Sequence, residues 1–265
     1  MKIGNITITS IETGTAFHPV NGDYMFTLDE LQNATIAQSE EKVPITGKQG
    51  RKLNSLKRNK AVTVRGTNGF VSTGLMELQT GSTAESKNTT VMWTDYISVN
   101  NNSAETSFVA VGTVGNEIEN LFVKNNDGTL GKRLTQGSTV EAGVFTYDPT
   151  TKELEFFAGD IQNGTEIAVY YTRRINGTVL ENFSDNYSTK CKLYLEAFGE
   201  DPCANIYRVQ FYIPLADFDG NFELAMGEAQ TVHAFAAESL AGSCGAAGLY
   251  WTYTIFGVEA EDVTS

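Results

Sequence analysis

"GVFTYDPTTKELEFF", residues 143–157, decides the class of fold. Phe145 and Tyr147 alternate with polar neighbours, Asp148-Pro149 opens a type I turn, and Leu154, Phe156 and Phe157 follow it. Apolar residues at a period of two on both sides of such a turn predict a β-hairpin. Moving outward, the same signals recur at short intervals. Strands are predicted at 2–10, 26–43, 89–99, 106–114, 165–175, 188–198, 206–215 and 248–258. In 2–10 the alternating positions are Ile3, Ile6 and Ile8. Pro214 cannot donate to a ladder, so it is expected at a strand end or a bulge. Asp219-Gly220-Asn221 reads as a turn, and 229–240 as a strand running into a short helix. The tail from Glu259 is expected to fray.

One stretch differs. In "NGFVSTGLMELQTG" (Asn68–Gly81), Phe70, Val71, Gly74, Leu75 and Leu78 fall at helical spacing. Asn68 is the expected N-cap and Gly81 the expected C-cap, although Gly74 weakens the helix interior. The fold class expected is therefore mainly β: a single-domain β-sandwich or barrel over 1–265, with one flanking α-helix at about 68–80 and long loops. An insertion or elaborated loops within 100–205 stays open.

Composition narrows the function. The 265 residues are 41% hydrophobic and 19% charged, which reads as soluble and globular. No stretch approaches ~20 apolar residues, so no membrane span is expected. The first residues lack an apolar core, so no secretory leader is expected, and Asn-x-Thr triplets such as Asn176-Gly177-Thr178 are read as turns. Cys191, Cys203 and Cys244 are odd in number and widely spaced, which argues against a disulfide framework and against zinc. His18 and His233 have no nameable triad partner and are expected to be structural. "GTNGFVSTG" lacks the Lys-Ser/Thr ending of a phosphate loop. The acidic pairs Glu40-Glu41, Glu117/Glu119, Asp217/Asp219 and Glu259/Glu261/Asp262 match no calcium-loop spacing and read as solvated faces. The aromatics around Tyr170-Tyr171, Phe156-Phe157 and Tyr250–Tyr253 read as core or interface. No catalytic residue, metal ligand or cofactor site is expected, and no enzyme.

One feature resists these totals. Residues 47–66, "GKQGRKLNSLKRNKAVTVRG", hold 7 of the chain's 19 Lys and Arg and no Asp or Glu, in a protein of net charge −13. The run contains no aromatic residue, as a nucleic-acid platform would require. Electrostatic docking onto an acidic copy of the same chain is the alternative to a solvated loop. Lys48, Arg51, Lys52, Leu53, Leu56, Lys57 and Arg58 are the candidate contact residues: the cations select register and the leucines anchor. Gly47 to about Asn59 is expected to be a mobile loop in the free subunit, whereas the later part of the run, "KAVTVRG" (residues 60–66), alternates and reads as a strand.

Two segments carry a family resemblance. Residues 40–82 contain a "TGK-GR-L" loop, a "K-K/R-K-V-V-GTNG"-like strand and a helix ending in "QTG". Residues 207–242 contain a strand, Pro, turn and closing strand. Together they cover under a third of the chain, and they resemble the major tail tube protein of long-tailed, siphovirus-like bacteriophages. The resemblance implies a structural virion protein that forms hexameric rings stacked into a hollow tail tube. It implies a tape-measure protein and tail-terminator and baseplate proteins as partners. It implies DNA passing through the lumen without specific binding, and assembly in the host cytoplasm. An acidic lumen would suit sliding DNA. A phage decoration or receptor-binding β-sandwich module is the alternative function.

Overall fold

The computed structural model describes residues 4–225, 232–241 and 248–257. Ile3, Cys244, Val258 and the acidic tail lie outside them. The elements run β1 (Thr7–Phe17), β2 (Tyr24–Leu28), β3 (Leu31–Thr46), β4 (Lys52–Asn68), α1 (Thr73–Thr80), β5 (Ala84–Ser98), β6 (Ser103–Glu105), β7 (Ile118–Lys124) and β8 (Leu130–Gln136). They continue with β9 (Val144–Asp148), β10 (Glu153–Glu155), β11 (Glu166–Leu180), β12 (Lys190–Glu200), β13 (Ile206–Phe218), β14 (Leu224–Ala225), β15 (Val232–Ser239) and β16 (Thr252–Gly257). The described residues are mainly β with a single α-helix, as expected. The chain divides into two compact units, one of Met1–Ala84 with Leu180–Ser265 and one of Glu85–Val179.

The first unit is a sheet ordered β2-β1-β12-β13-β15-β4-β3, with β14 on β15 and β16 on β13. Its two outermost strands, β2 and β3, are joined by only Asp29 and Glu30. So short a link obliges the sheet to curl until its edges meet, as in a partly closed barrel. Ala16, Leu28, Val64, Leu193, Ile213 and Phe235 face inward, and Leu75 and Leu78 of α1 seal the same core. Burying each such leucine contributes about 1.5–3 kcal/mol. Pro214 sits at a bulge: Cys191 pairs with Ala216 while Leu193 pairs with Ile213, so β13 carries one extra residue there. The turn at Asp219 is held by the Asn221 amide donating to the Asp219 carboxylate at 2.9 Å. The strand after it, β15, runs to Ser239, and no short helix follows among the described residues.

The helix starts later than its spacing suggests. Asn68 is buried in β4, paired with Leu31 on one side and His233 on the other, so it cannot cap. Ser72 does so, its hydroxyl accepting from the Leu75 amide at 3.3 Å. Phe70 and Val71 lie outside the helix and are exposed. Gly81 closes it in the left-handed region, φ 68°. Gly74 is explained by crowding, because a Cβ there would lie 2.5 Å from that of Phe26.

The second unit is a sheet ordered β5-β11-β7-β8-β9-β10-β6 with its own core, including Leu121, Phe145, Leu154, Val169 and Tyr171. The hairpin read from residues 143–157 is β9–β10, with Leu154 opposite Tyr147. Residues 106–114, expected as a strand, are irregular. Their amides are taken by groups other than a ladder. The Phe108 N–H donates to the Tyr171 hydroxyl (3.1 Å), Ala110 N–H to the Tyr147 hydroxyl (2.9 Å), and Val111 N–H to the Thr172 carbonyl (2.7 Å). Buried backbone donors need partners, but those partners need not form a sheet.

Candidate intersubunit site: the β3–β4 arm

The first part of the basic run, expected as a mobile loop, is ordered from Lys52 onward, and the later part is a strand as read. Together they are the returning strand of a hairpin formed by β3 and β4 and closed at Gly47–Arg51. Composition misleads here: glycines, few apolar residues and like charges suggest disorder, but β3 supplies a continuous partner ladder. The turn depends on Gly47 N–H donating to the Arg51 carbonyl (2.8 Å) and on left-handed Gln49 and Gly50 (φ 62° and 71°). Leu53 folds over Gly47, so that a Cβ there would lie 2.7 Å from a Leu53 methyl and displace that side chain.

Beyond Ser39 and Ala61 the hairpin leaves the barrel. From 39 to 60 only Val43, Gly47 and Ser55 are even half-buried. About nine residues per strand at ~3.3 Å each give the arm a reach of about 30 Å. Its root is pinned to the chain near the last described strand. The Tyr250 hydroxyl donates to the Lys60 carbonyl (2.9 Å), and the Lys60 ammonium lies 5.2 Å from the Tyr250 ring centroid.

Charges on the arm divide into two sets. Near the root, the register places Glu41 opposite Arg58, with a bulge between Ser39 and Glu41 where Asn59 adopts φ 51°. Arg58 grips the Glu41 carboxylate with two nitrogens (3.1 and 2.8 Å), and Asn59 donates a third bond at 2.6 Å. Arg58, then Asn59, hold the Glu41 carboxyl below its usual range despite slight opposing desolvation. Lys57 and Lys42 flank Glu40 at 3.3 and 3.5 Å, and the Lys57 hydrogen bond leads in holding Glu40 low. These acids are therefore bridge partners, not merely a solvated face. At the tip, Lys48, Arg51 and Lys52 have no ion pair among the described residues.

The apolar side chains also line up. Val43 pairs with Leu56 and Ile45 with Asn54, which puts Val43, Ile45 and Leu56 on one face. Ile45, Leu53 and Leu56 are 49%, 58% and 56% exposed. Thus Lys48, Arg51, Lys52, Leu53 and Leu56 come together as a cationic, apolar tip, while Lys57 and Arg58 act in building the arm. Ile45 and Val43 were missed. Their signal was available in the alternation of "KVPIT", whose facing strand only the register reveals.

The remaining candidates are structural. His233 is fully buried: its Nδ1 accepts from the Ser72 N–H (3.3 Å), so Nε2 carries the proton toward Gln79 Oε1 (2.8 Å). Burial pushes its pKa down. It fastens the N-terminus and last turn of α1 to β15. His18 accepts from the Val20 and Asn21 amides within the β1–β2 turn. "GTNGFVSTG" is the end of β4, a turn and the start of α1. Glu117, expected on a solvated face, is 6% exposed and accepts from Gln136 Nε2 (2.5 Å) and the Gly115 amide (3.0 Å). Among the described residues no group of His, Cys, Asp and Glu could hold a metal ion.

No curated protein matches the chain. A family of tube proteins matches it from residue 6 to residue 247, far beyond the two segments that carried the resemblance. Matched over nearly its whole length, the chain belongs to the YomU/Tube protein family, as a phage tail tube structural protein and virion component.

Proposed function

We propose that the protein self-assembles into hexameric rings, stacked into a hollow tail tube through which DNA passes, and that the β3–β4 arm docks each copy onto a neighbour. The observation that carries this reading is the arm itself. An isolated two-stranded ribbon is marginal in water, and this one leaves both faces and three aliphatic side chains wet. From 40 to 60 it holds seven cations and two carboxylates, a net +5; since the chain sums to −13, the other residues sum to −18. Another copy is therefore an acidic partner. The tip cations set register and Ile45, Leu53 and Leu56 bury against it. Assembly occurs in the host cytoplasm, with the tape-measure, tail-terminator and baseplate proteins as partners; these and the sixfold stoichiometry rest on the family resemblance.

Sedimentation of the pure protein over a concentration series, beside negative-stain microscopy, tests the reading. Large species seen as rings or rods are expected. A single monomeric boundary at high concentration would overturn it and favour the decoration or receptor-binding module.

A further inference from the structure

The second unit contains a cation that its own fold does not satisfy. The Arg173 guanidinium lies 3.3 Å from the centroid of the Phe108 ring and 4.9 Å from that of Trp93. Stacking of this kind uses the face of the guanidinium and leaves its in-plane N–H donors free. One of them, Nε, is buried without a hydrogen-bond partner. No ion pair involves Arg173 among the described residues. The acid lining the same groove, Glu117, is committed to Gln136 and the Gly115 amide.

The stacking box is held rigid from below. Buried Asp95 accepts from Trp93 Nε1 (2.9 Å), from the Ser107 amide (2.7 Å) and hydroxyl (2.9 Å), and from the Tyr171 hydroxyl (2.7 Å). Tyr171 in turn accepts from the Phe108 amide. The Trp93 ring and the Phe108 backbone are thereby held in place before any ligand arrives, as a binding site requires. In front of Arg173 lies an open groove of about 570 Å³, walled by Val109, Val111 and Val114 and flanked by Arg174. That volume suits a small ligand.

We propose that this groove is an anion-binding site. It takes the carboxylate or phosphate head of a small organic ligand, whose apolar body lies along the three valines. Either head presents two oxygens to the fork of the guanidinium. Binding here is independent of the tube reading and can fail or succeed without it.

Trp93 is the built-in reporter. In a Trp251→Phe chain it is the sole tryptophan, since the protein has two. Hexanoate, acetate and inorganic phosphate are titrated separately at constant ionic strength, with calorimetry on the unaltered protein as the second measurement. The expected result is a saturable change in Trp93 emission and matching heat, with hexanoate binding tighter than acetate. Tight phosphate binding with weak hexanoate binding assigns the head as phosphate. Arg173→Met is expected to weaken binding more than about tenfold, and Arg173→Lys, which keeps the charge but not the fork, by less. Should Arg173→Met lose its near-ultraviolet dichroism, the Arg173→Lys titration decides by itself. Absence of any saturable response, or a response unchanged by both substitutions, overturns the proposal.

Discussion

Glu41 shows how one side chain organises the arm. It binds the residue opposite it, Arg58, and the bulged residue beyond, Asn59, so it fixes both the register and the bend at the root. Glu41→Ala is expected to speed amide exchange of residues 52–60 and leave the barrel amides unaffected. The pH dependence follows in sign. The Glu40 and Glu41 carboxyls are lowered in the folded protein, so their contribution is present above the ordinary carboxylate range and is lost as pH falls through the lowered values. Protection of the arm amides, taken relative to the intrinsic exchange rate at each pH, should fall with acid before that of the barrel amides. His233 works in another window. Its pKa is lowered by burial, so the unfolded chain takes up a proton near pH 6.5 that the folded one refuses. Its contribution is complete above that pH and falls away below it. A melting temperature that drops between about pH 6.5 and 5, with a shallower drop in His233→Gln, is the expected result. At Gly81 the left-handed backbone and the nearby Tyr187 carbonyl leave no room for a methyl group. Gly81→Ala should cost more than about 1 kcal/mol in urea unfolding.

At the scale of the element, the arm and the helix are stabilised in opposite ways. Helix α1 has eight residues, too few to persist alone, and it exists because Leu75 and Leu78 bury in the barrel core and His233 and Gln79 clamp it. The arm buries almost nothing, so its unpaired side chains can be changed at little cost to the monomer. Leu53→Ser with Leu56→Ser should leave the monomer's melt nearly unchanged, since exposed substitutions typically cost within about 0.5 kcal/mol each. The same pair should sharply reduce polymerisation seen by sedimentation. Replacing Arg51 and Lys52 with Ser should weaken assembly most at low salt, because the attraction it removes is screened over about 8–10 Å at physiological ionic strength. Lys57 and Arg58 are poor choices for that test, as their loss would also undo the Glu40 and Glu41 bridges.

Across the whole molecule, charge and core are partitioned. A net −13 should leave no measurable affinity for double-stranded DNA at physiological salt, in a gel shift or by anisotropy, despite the cationic arm. Each unit also holds its own hydrophobic cluster. The second unit joins the first at Ala84 and Leu180, and β5 and β11, which carry those ends, are neighbours in the second sheet. Joining those two residues through a short Gly-Asn turn, with 85–179 deleted, should leave the first unit cooperatively folded by near-ultraviolet dichroism and thermal melting. Loss of that transition would show that the first core needs the second unit.

Local chemistry written into consecutive residues was legible from the sequence. Alternation at Phe145–Tyr147 and Leu154–Phe156 marked a hairpin, Pro214 marked a strand end or a bulge, and Gly81 marked the end of a helix. Each of these depends on residues within a few positions of one another. What only the tertiary structure decided depends on partners far apart in the chain. The basic run became an ordered strand because β3 lies beside it, and Lys57 and Arg58 became internal braces because the register brings Glu40 and Glu41 to them. Residues 106–114 alternate as a strand would, yet they lost the ladder because the Tyr147 and Tyr171 hydroxyls took their amides. Periodicity reports which side of the chain is apolar. It carries no information about which distant donor, acceptor or charge will meet that side, and that pairing determined the arm.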